Sequence, residues 1–446
     1  MGDVPGAYLT TPLTGPPTYI TTEKAVRPAN DWRWWQDRQP VAPVHTALYG
    51  LPRSGADWGE KARQCLEDEL LCERVLDTGE ESVYMYRYDE NIIDSLVLIV
   101  LYVDDFAITG KQVNAELMHN TIMQYLGFGS KPDYELFDFI GIERQVVYKS
   151  PTGSRILVHQ ASYAVVVIED FEKRFNGGKS LQAIATPMKM KDDKTEVVDS
   201  RNVPSLEAVG PEMNGKLLWL SRGTRPDLGT ATTRLSRRLT RWSRDVDLML
   251  WRIMKYLRGT THLGILMEGS SNDLGVVINL LDMDADHGGD IITAKSTSGY
   301  FLEIRGPSTQ IPIYWGSKSQ DCTALSTGDA ELTACRDATF RSGLPWAATL
   351  EKILRRYIRL VGRTDSNASL DAIRNGYSKK MAYLDKHKRI SISSLHEVYI
   401  ENHDVDHLNL LLKMEGLKLR ADVMTKPIDS KRHWELLEKM GMALVS

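Results

Sequence analysis

VVINLLDMDADHGGDIITAKSTSGYFLEIRGPSTQIPIYWGS, residues 276–317, holds three apolar runs in succession, VVINLLDM, SGYFLEI and IPIYWGS, separated by glycine-rich or polar breaks. Runs of this length, rich in β-branched and aromatic residues, read as three successive strands. A helix is predicted next over Thr327–Ala338, then a strand in IRLVGRTD (358–365) and a helix over NASLDAIRNG (367–376). Three strands, helix, strand, helix is the order of one mixed sheet covered by helices, an α/β arrangement.

The acids of this block fall at element ends. Asp284 closes the first strand, Glu331 lies within the helix STGDAELTA, Asp365 ends the later strand, and Asp422 sits in KLRADVMTKP near a predicted terminal helix. Taken singly, each also suits an exposed turn or a helix cap. Four carboxylates beside apolar elements must nevertheless be exposed or matched by cations, because an unpaired buried carboxylate is very costly. If they converge on one sheet edge, magnesium is the expected counter-ion, being a hard cation that takes oxygen ligands. His396, His403 and His407 follow Asp365 without a tight ligand repeat.

Upstream, SLVLIVLYV (95–103) is the most apolar strand of the chain and runs straight into Asp104 and Asp105. VYMYRYD precedes it as a strand and FAIT follows as another, so the two acids sit at a hairpin tip. Aspartate is a common turn former. Two like charges side by side, however, raise one another's proton affinity unless a cation neutralises them, which points to a metal site. Ser54–Leu71 has helical spacing, with Trp58, Ala62, Cys65, Leu66 and Leu70 on one side.

Length and composition set the frame for both blocks. A chain of 446 residues suggests two or three domains. It is 42% hydrophobic and 26% charged, as in ordinary globular proteins, with a net charge of -4. The longest apolar run, Leu96–Val103, is far short of the roughly twenty residues of a membrane helix, so no membrane association is expected. MGDVPGAYLTTPL lacks the basic and apolar parts of a signal peptide, and an intracellular location is expected. The four cysteines form no C-x-x-C pair and read as buried, reduced side chains. Charge is uneven: residues 222–244 carry seven arginines against one acid. Arg234, Arg237, Arg238, Arg241 and Arg244 recur at three- and four-residue steps, which on a helix makes one cationic face, either solvated or tracking phosphates. The polar segment 189–216 and the break EGSSNDLG (268–275) divide the chain into an N-terminal block, a basic helical middle and a C-terminal block.

Four separated motifs, DADHGGDIITAKSTSGYFLEI, ALSTGDAELTA, TDSNASLDAI and LRADVMTKPI, occur in the order found in the RNase H domain of copia-type retrotransposon Pol polyproteins, and the chain resembles that family. The resemblance extends upstream. ALYGLPRSGADW (47–58), YVDD (102–105), DFIGIER (138–144), ATPM (185–188), LLWLSRGTRPDLGTATTRLSR (217–237) and KYLRGTTHLGI (255–265) are similar to stretches of its reverse transcriptase and the following region. DVPGAYLTTPL (3–13) resembles the family's strand bearing a further acid. KRISISSLHE (388–397) departs from the family's histidine-rich stretch, with His396 displaced by one position.

The resemblance implies an α+β reverse transcriptase palm without fingers over 1–150, a basic helical thumb or connection over 151–268, and an RNase H-like mixed five-stranded sheet with helices over 275–446. It implies Asp284, Glu331, Asp365 and Asp422 as the catalytic metal ligands of a nuclease acting on RNA–DNA hybrid. Asp3, Asp104 and Asp105 would be those of an RNA-directed DNA polymerase using dNTPs, each site taking two Mg2+ ions. Tyr8 and Tyr102 would meet the nucleotide, while Arg53, Arg234, Arg237, Arg238 and Arg241 would meet RNA or DNA. The family works in cytoplasmic virus-like particles, so a cytoplasmic or nuclear place is implied. The alternative reading is a catalytically silent nucleic-acid-binding remnant of a transposon.

Overall fold

In the computed structural model, the described residues are 2–3 (backbone only), 6–21, 23, 27, 29–30, 36, 40–75, 83–103, 105–126, 138–190, 203–290, 292–401 and 408–445. The chain forms two compact units, Met1–Leu136 and Phe137–Ser446. The α/β class read from the sequence is what the structure has.

The first unit is built on a five-stranded sheet. Its strands are β1 (Gly2–Asp3), β4 (Glu73–Arg74), β5 (Val83–Arg87), β6 (Leu96–Tyr102) and β7 (Asp105–Gly110), in the order β1-β7-β6-β5-β4. β2 (Thr18–Thr21) and β3 (Val41–Val44) pair separately. The apolar run forms the central strand β6, where Val97, Ile99 and Leu101 are buried, Leu96, Leu98 and Val100 half-buried, and Tyr102 exposed. The buried face packs with Trp58 and Ala62 of α1 (Ser54–Arg63) and with Met118, Ile122 and Met123 of α2 (Gln112–Leu126).

The second unit contains, within a larger ten-stranded sheet, the mixed five-stranded arrangement that the resemblance implied. It consists of β12 (Ile278–Asp286), β13 (Thr297–Arg305), β14 (Gln310–Ser319), β15 (Leu360–Thr364) and β16 (Leu410–Lys413), ordered β16-β15-β12-β13-β14. β12, β13 and β14 are antiparallel neighbours, whereas β15 runs parallel to β12 and β16 parallel to β15. The sheet continues past β14 into β11 (Leu263–Ser270), β10 (Gly153–His159), β9 (Ile142–Lys149) and β8 (Asp138–Phe139), with β17 (Met442–Leu444) paired to β11. Residue 150, where the sequence reading ends the first block, therefore lies between paired strands β9 and β10. The compact unit instead begins at Phe137.

Between β10 and β11 run α3 (Ala161–Phe175), α4 (Gly210–Gly223), α5 (Gly229–Ser236) and α6 (Arg244–Gly259). Phe171, Met213, Leu217, Leu235, Leu250 and Leu257 share one core there. A second core joins Leu281, Met283 and Leu302 of the sheet to Leu332 and Cys335 of α7 (Thr327–Ala338) and to Leu370 and Ile373 of α9 (Asn367–Asn375), α8 being Leu344–Leu354. Ser326 caps α7 by accepting from Asp329 N at 3.2 Å, a favoured helix start. α10 (Tyr383–Lys388), α11 (Ile392–Tyr399) and α12 (Ser430–Lys439) complete the unit. Cys65, Cys72 and Cys335 are buried free thiols.

Candidate metal centre

The parallel register Asn279↔Leu360 to Asp282↔Arg363 brings the carboxyl ends of β12 and β15 to one sheet edge. Continued by two residues, it sets Asp284 level with Asp365. α7 contributes Glu331, and oxygens of Asp284, Glu331 and Asp365 lie within 4.8 Å of one another. Asp422, in the short turn Arg420–Met424, approaches the same strand end. That approach depends on Gly299, which pairs with Asp284 on the neighbouring strand. A Cβ at Gly299 would lie 2.5 Å from Thr425 Cγ2 and 2.9 Å from Ala421 O. Lys426 Nζ lies 2.7 Å from one Asp422 oxygen as an ion pair, and the other oxygen accepts from Arg432. Thr425 donates to Asp284, and Lys426 Nζ lies 3.4 Å from the same carboxylate.

Proton affinities follow from this crowding. Burial, with Asp422 alongside, pushes Asp284 up to about 8. Burial followed by Asp284 and Asp365 pushes Glu331 up to about 9. Burial would lower Lys426, but Asp284 and Asp422 hold it above its ordinary value. Glu331 Oε2 is buried without a hydrogen-bond partner. An all-oxygen donor set, buried except at half-buried Asp365, with a Glu331 oxygen orphaned and two carboxyls reluctant to ionise, suits a hard divalent cation, whose charge would reverse that reluctance.

Behind the site, Asp282 is fully buried and accepts from Arg363 Nε at 2.5 Å and Arg420 Nε at 2.7 Å, while Arg420 also reaches Glu303 at 2.6 Å. Sequence reading missed this network, together with Lys426 and Arg432. The spacing of Lys426, four residues beyond Asp422, was the available signal.

In the first unit, the antiparallel register sets Asp3 opposite Asp105, and Tyr102 pairs with Asp105 across the hairpin. Asp104 lies outside the described residues. Val103, in the turn, has φ 54°, a left-handed conformation strained for a β-branched residue, and Trp58 Nε1 donates to its carbonyl. Tyr102 is 53% exposed. Tyr8 stacks at a tilt on Tyr49 with centroids 4.8 Å apart. Arg53 donates to Pro16 O at 2.8 Å and Thr18 Oγ1 at 2.6 Å.

The arginine run is not one helical face. α5 ends at Ser236, residues 237–240 turn, and α6 starts at Arg244. Trp242 packs against Gly210 and donates to Asp247 at 2.8 Å, which bends the chain between the helices. Arg234 pairs with Asp286 at 2.9 Å, Arg237 and Arg238 lie 3.7 and 3.2 Å from Asp290, and Arg244 lies 3.2 Å from Asp247. Arg241 is exposed. His396 lies 2.7 Å from Ile373 O and 3.3 Å from Glu401, while His403 and His407 lie outside the described residues.

No protein-family model matches the sequence. The Retrovirus-related Pol polyprotein from transposon TNT 1-94 of Nicotiana tabacum is 28% identical over 416 residues, 90% of this chain and 28% of the relative. Those from transposons RE1 and RE2 of Arabidopsis thaliana are each 28% identical over 91% of this chain and 25% of the relative. The chain thus spans about a quarter of the length of the curated relatives it matches. No helix among the described residues is long and apolar enough to cross a membrane. Similarity along nine-tenths of the sequence to these copia-type transposon proteins, with the mixed sheet and its acidic edge, supports a retrotransposon Pol polyprotein fragment.

Proposed function

We propose that the chain hydrolyses the RNA strand of RNA–DNA hybrids at Asp284, Glu331, Asp365 and Asp422. The observation that carries this reading is the meeting of three carboxylates within 4.8 Å beside a fourth, with a buried Glu331 oxygen left without a partner. These four residues would hold two Mg2+ ions, which in such sites activate water and stabilise the leaving oxygen of a phosphodiester. Burial and their carboxylate neighbours raise the proton affinities of Glu331 and Asp284, so a bound cation would displace protons from these two groups. Arg432 fixes Asp422, with its guanidinium also on Gly416 O at 2.6 Å. Arg241 is assigned to substrate phosphate. Purified protein with labelled hybrid and Mg2+ tests the reading: cleavage absent, or no greater than in Asp284→Asn, would sink it.

The backbone register Asp3↔Asp105 supports a second activity, RNA-directed DNA synthesis from dNTPs at Asp3, Asp104 and Asp105, with Tyr8 and Tyr102 toward the nucleotide. Extension of a primed RNA template would report it. Extension surviving in Asp104→Asn and Asp105→Asn would assign synthesis elsewhere.

A further inference from the structure

Helix α5 belongs by sequence to the basic middle of the chain, yet its side chains end on the acidic edge. Thr230 Oγ1 donates to Val423 O at 2.6 Å, next to Asp422. Arg234 Nη2 donates to Asp286 Oδ2 at 2.9 Å and to Thr425 O at 3.3 Å. Asp286 lies two residues beyond Asp284, on the same face of β12. Thr425 itself donates to Asp284, and its hydroxyl lies 3.2 Å from Asp422 O. One guanidinium therefore ties the strand end carrying Asp284 to the turn carrying Asp422.

We propose that Arg234 is a positioning residue for the four-acid site, acting on Asp284 and Asp422 through Asp286 and Thr425. This rests on the nuclease reading above and extends it: the site is completed by a helix outside the 275–446 segment. A planar guanidinium suits this part, since one group can hold a carboxylate and a carbonyl in fixed directions. The sign of its effect separates bracing from simple charge. As a nearby cation, Arg234 repels a divalent ion, so its loss would tighten metal binding. As a brace it holds the acids in register, so its loss weakens binding.

Mn2+ binding to the full chain, measured by calorimetry, is the test. Arg234→Ala is expected to weaken Mn2+ by about 10- to 100-fold, the usual cost of losing an outer partner of metal ligands. Arg234→Lys should restore part of the affinity. Thr233→Val removes a 2.9 Å bond from the same helix to Ser317 O, on β14 and not on the strand end or turn that carries the acids, and should leave Mn2+ affinity unchanged. In hybrid cleavage, Arg234→Ala should lower kcat while KM holds. Unchanged or tighter Mn2+ binding in Arg234→Ala, with the parent binding normally, overturns the inference and leaves the nuclease reading standing. A parent that binds no Mn2+ removes both. Should Arg234→Ala not fold, Thr230→Val carries the same comparison: weaker Mn2+ supports the brace, and unchanged affinity overturns it.

Discussion

A carboxyl buried beside two other carboxylates keeps its proton, and Glu331 is in that position. Its affinity in the folded protein, about 9, stands above the ordinary 4.5, so the metal-free native state binds more protons than the unfolded chain between those values. Stability must then fall as pH rises through that window and level off above it. In chelator, urea unfolding at pH 5, 7 and 9 should show this decline. Glu331→Gln, which cannot ionise, should lessen it, leaving the share due to Asp284, and stabilise the protein at pH 9 by about 1–3 kcal/mol, within the range of single substitutions. Mg2+ should reverse the decline in the parent and do little for the variant. The same protons make metal binding pH-dependent: uptake near pH 7 should release protons from Glu331 and Asp284, and affinity should rise toward pH 9. Titration calorimetry in buffers of different ionisation enthalpy counts those protons, and a buffer-independent heat would contradict the assignment.

At the scale of elements, local signals and tertiary demands can be told apart. α7 was legible to the residue, because a capping serine opens it and its apolar spacing is helical. The hairpin β6–β7 was legible in part: the apolar run forms β6 as read, but Asp105, read as a tip residue, opens β7 opposite Tyr102. The arginine run was misread. Its spacing fits a continuous helix, but Trp242 against Gly210 and the pull of Asp290 on Arg237 and Arg238 end α5 at Ser236. Nothing local announces those acids, which lie some fifty residues away. The turn Arg420–Met424 shows the same limit: it reaches the strand end only because Gly299 lacks a side chain. Gly299→Ala should force that turn outward, costing about 1–3 kcal/mol as overpacking does. Because Asp422 rides on the turn, hybrid cleavage should fall further than denaturant stability does. Equal cleavage by variant and parent would show that the turn adjusts without moving Asp422.

At the scale of the molecule, the acids and the strands β12 to β15 were readable from their own residues, while β16 and the size of the sheet were not. β10 pairs with β11 across more than a hundred residues, and β17 returns from the end of the chain to the same strand. Side-chain alternation says which face a strand buries but does not name a distant partner. The consequence is a testable boundary. A piece confined to 275–446 would strip β17 of its pairing partner and remove Leu263 from the core formed by Val423, Met424, Leu436 and Met440. It would also leave buried His433 without Tyr256, whose hydroxyl lies 3.1 Å from its ring nitrogen. Buried groups that lose partners cost about 1–3 kcal/mol each, and a domain's whole stability is only about 5–15 kcal/mol. Residues 137–446 should therefore melt in one cooperative step by circular dichroism, whereas 275–446 should melt broadly and expose apolar surface to a dye. If 275–446 melted as sharply as the longer piece, β11 and the helices before it would be an accessory layer, and the acid-bearing fold would be complete in its last 172 residues.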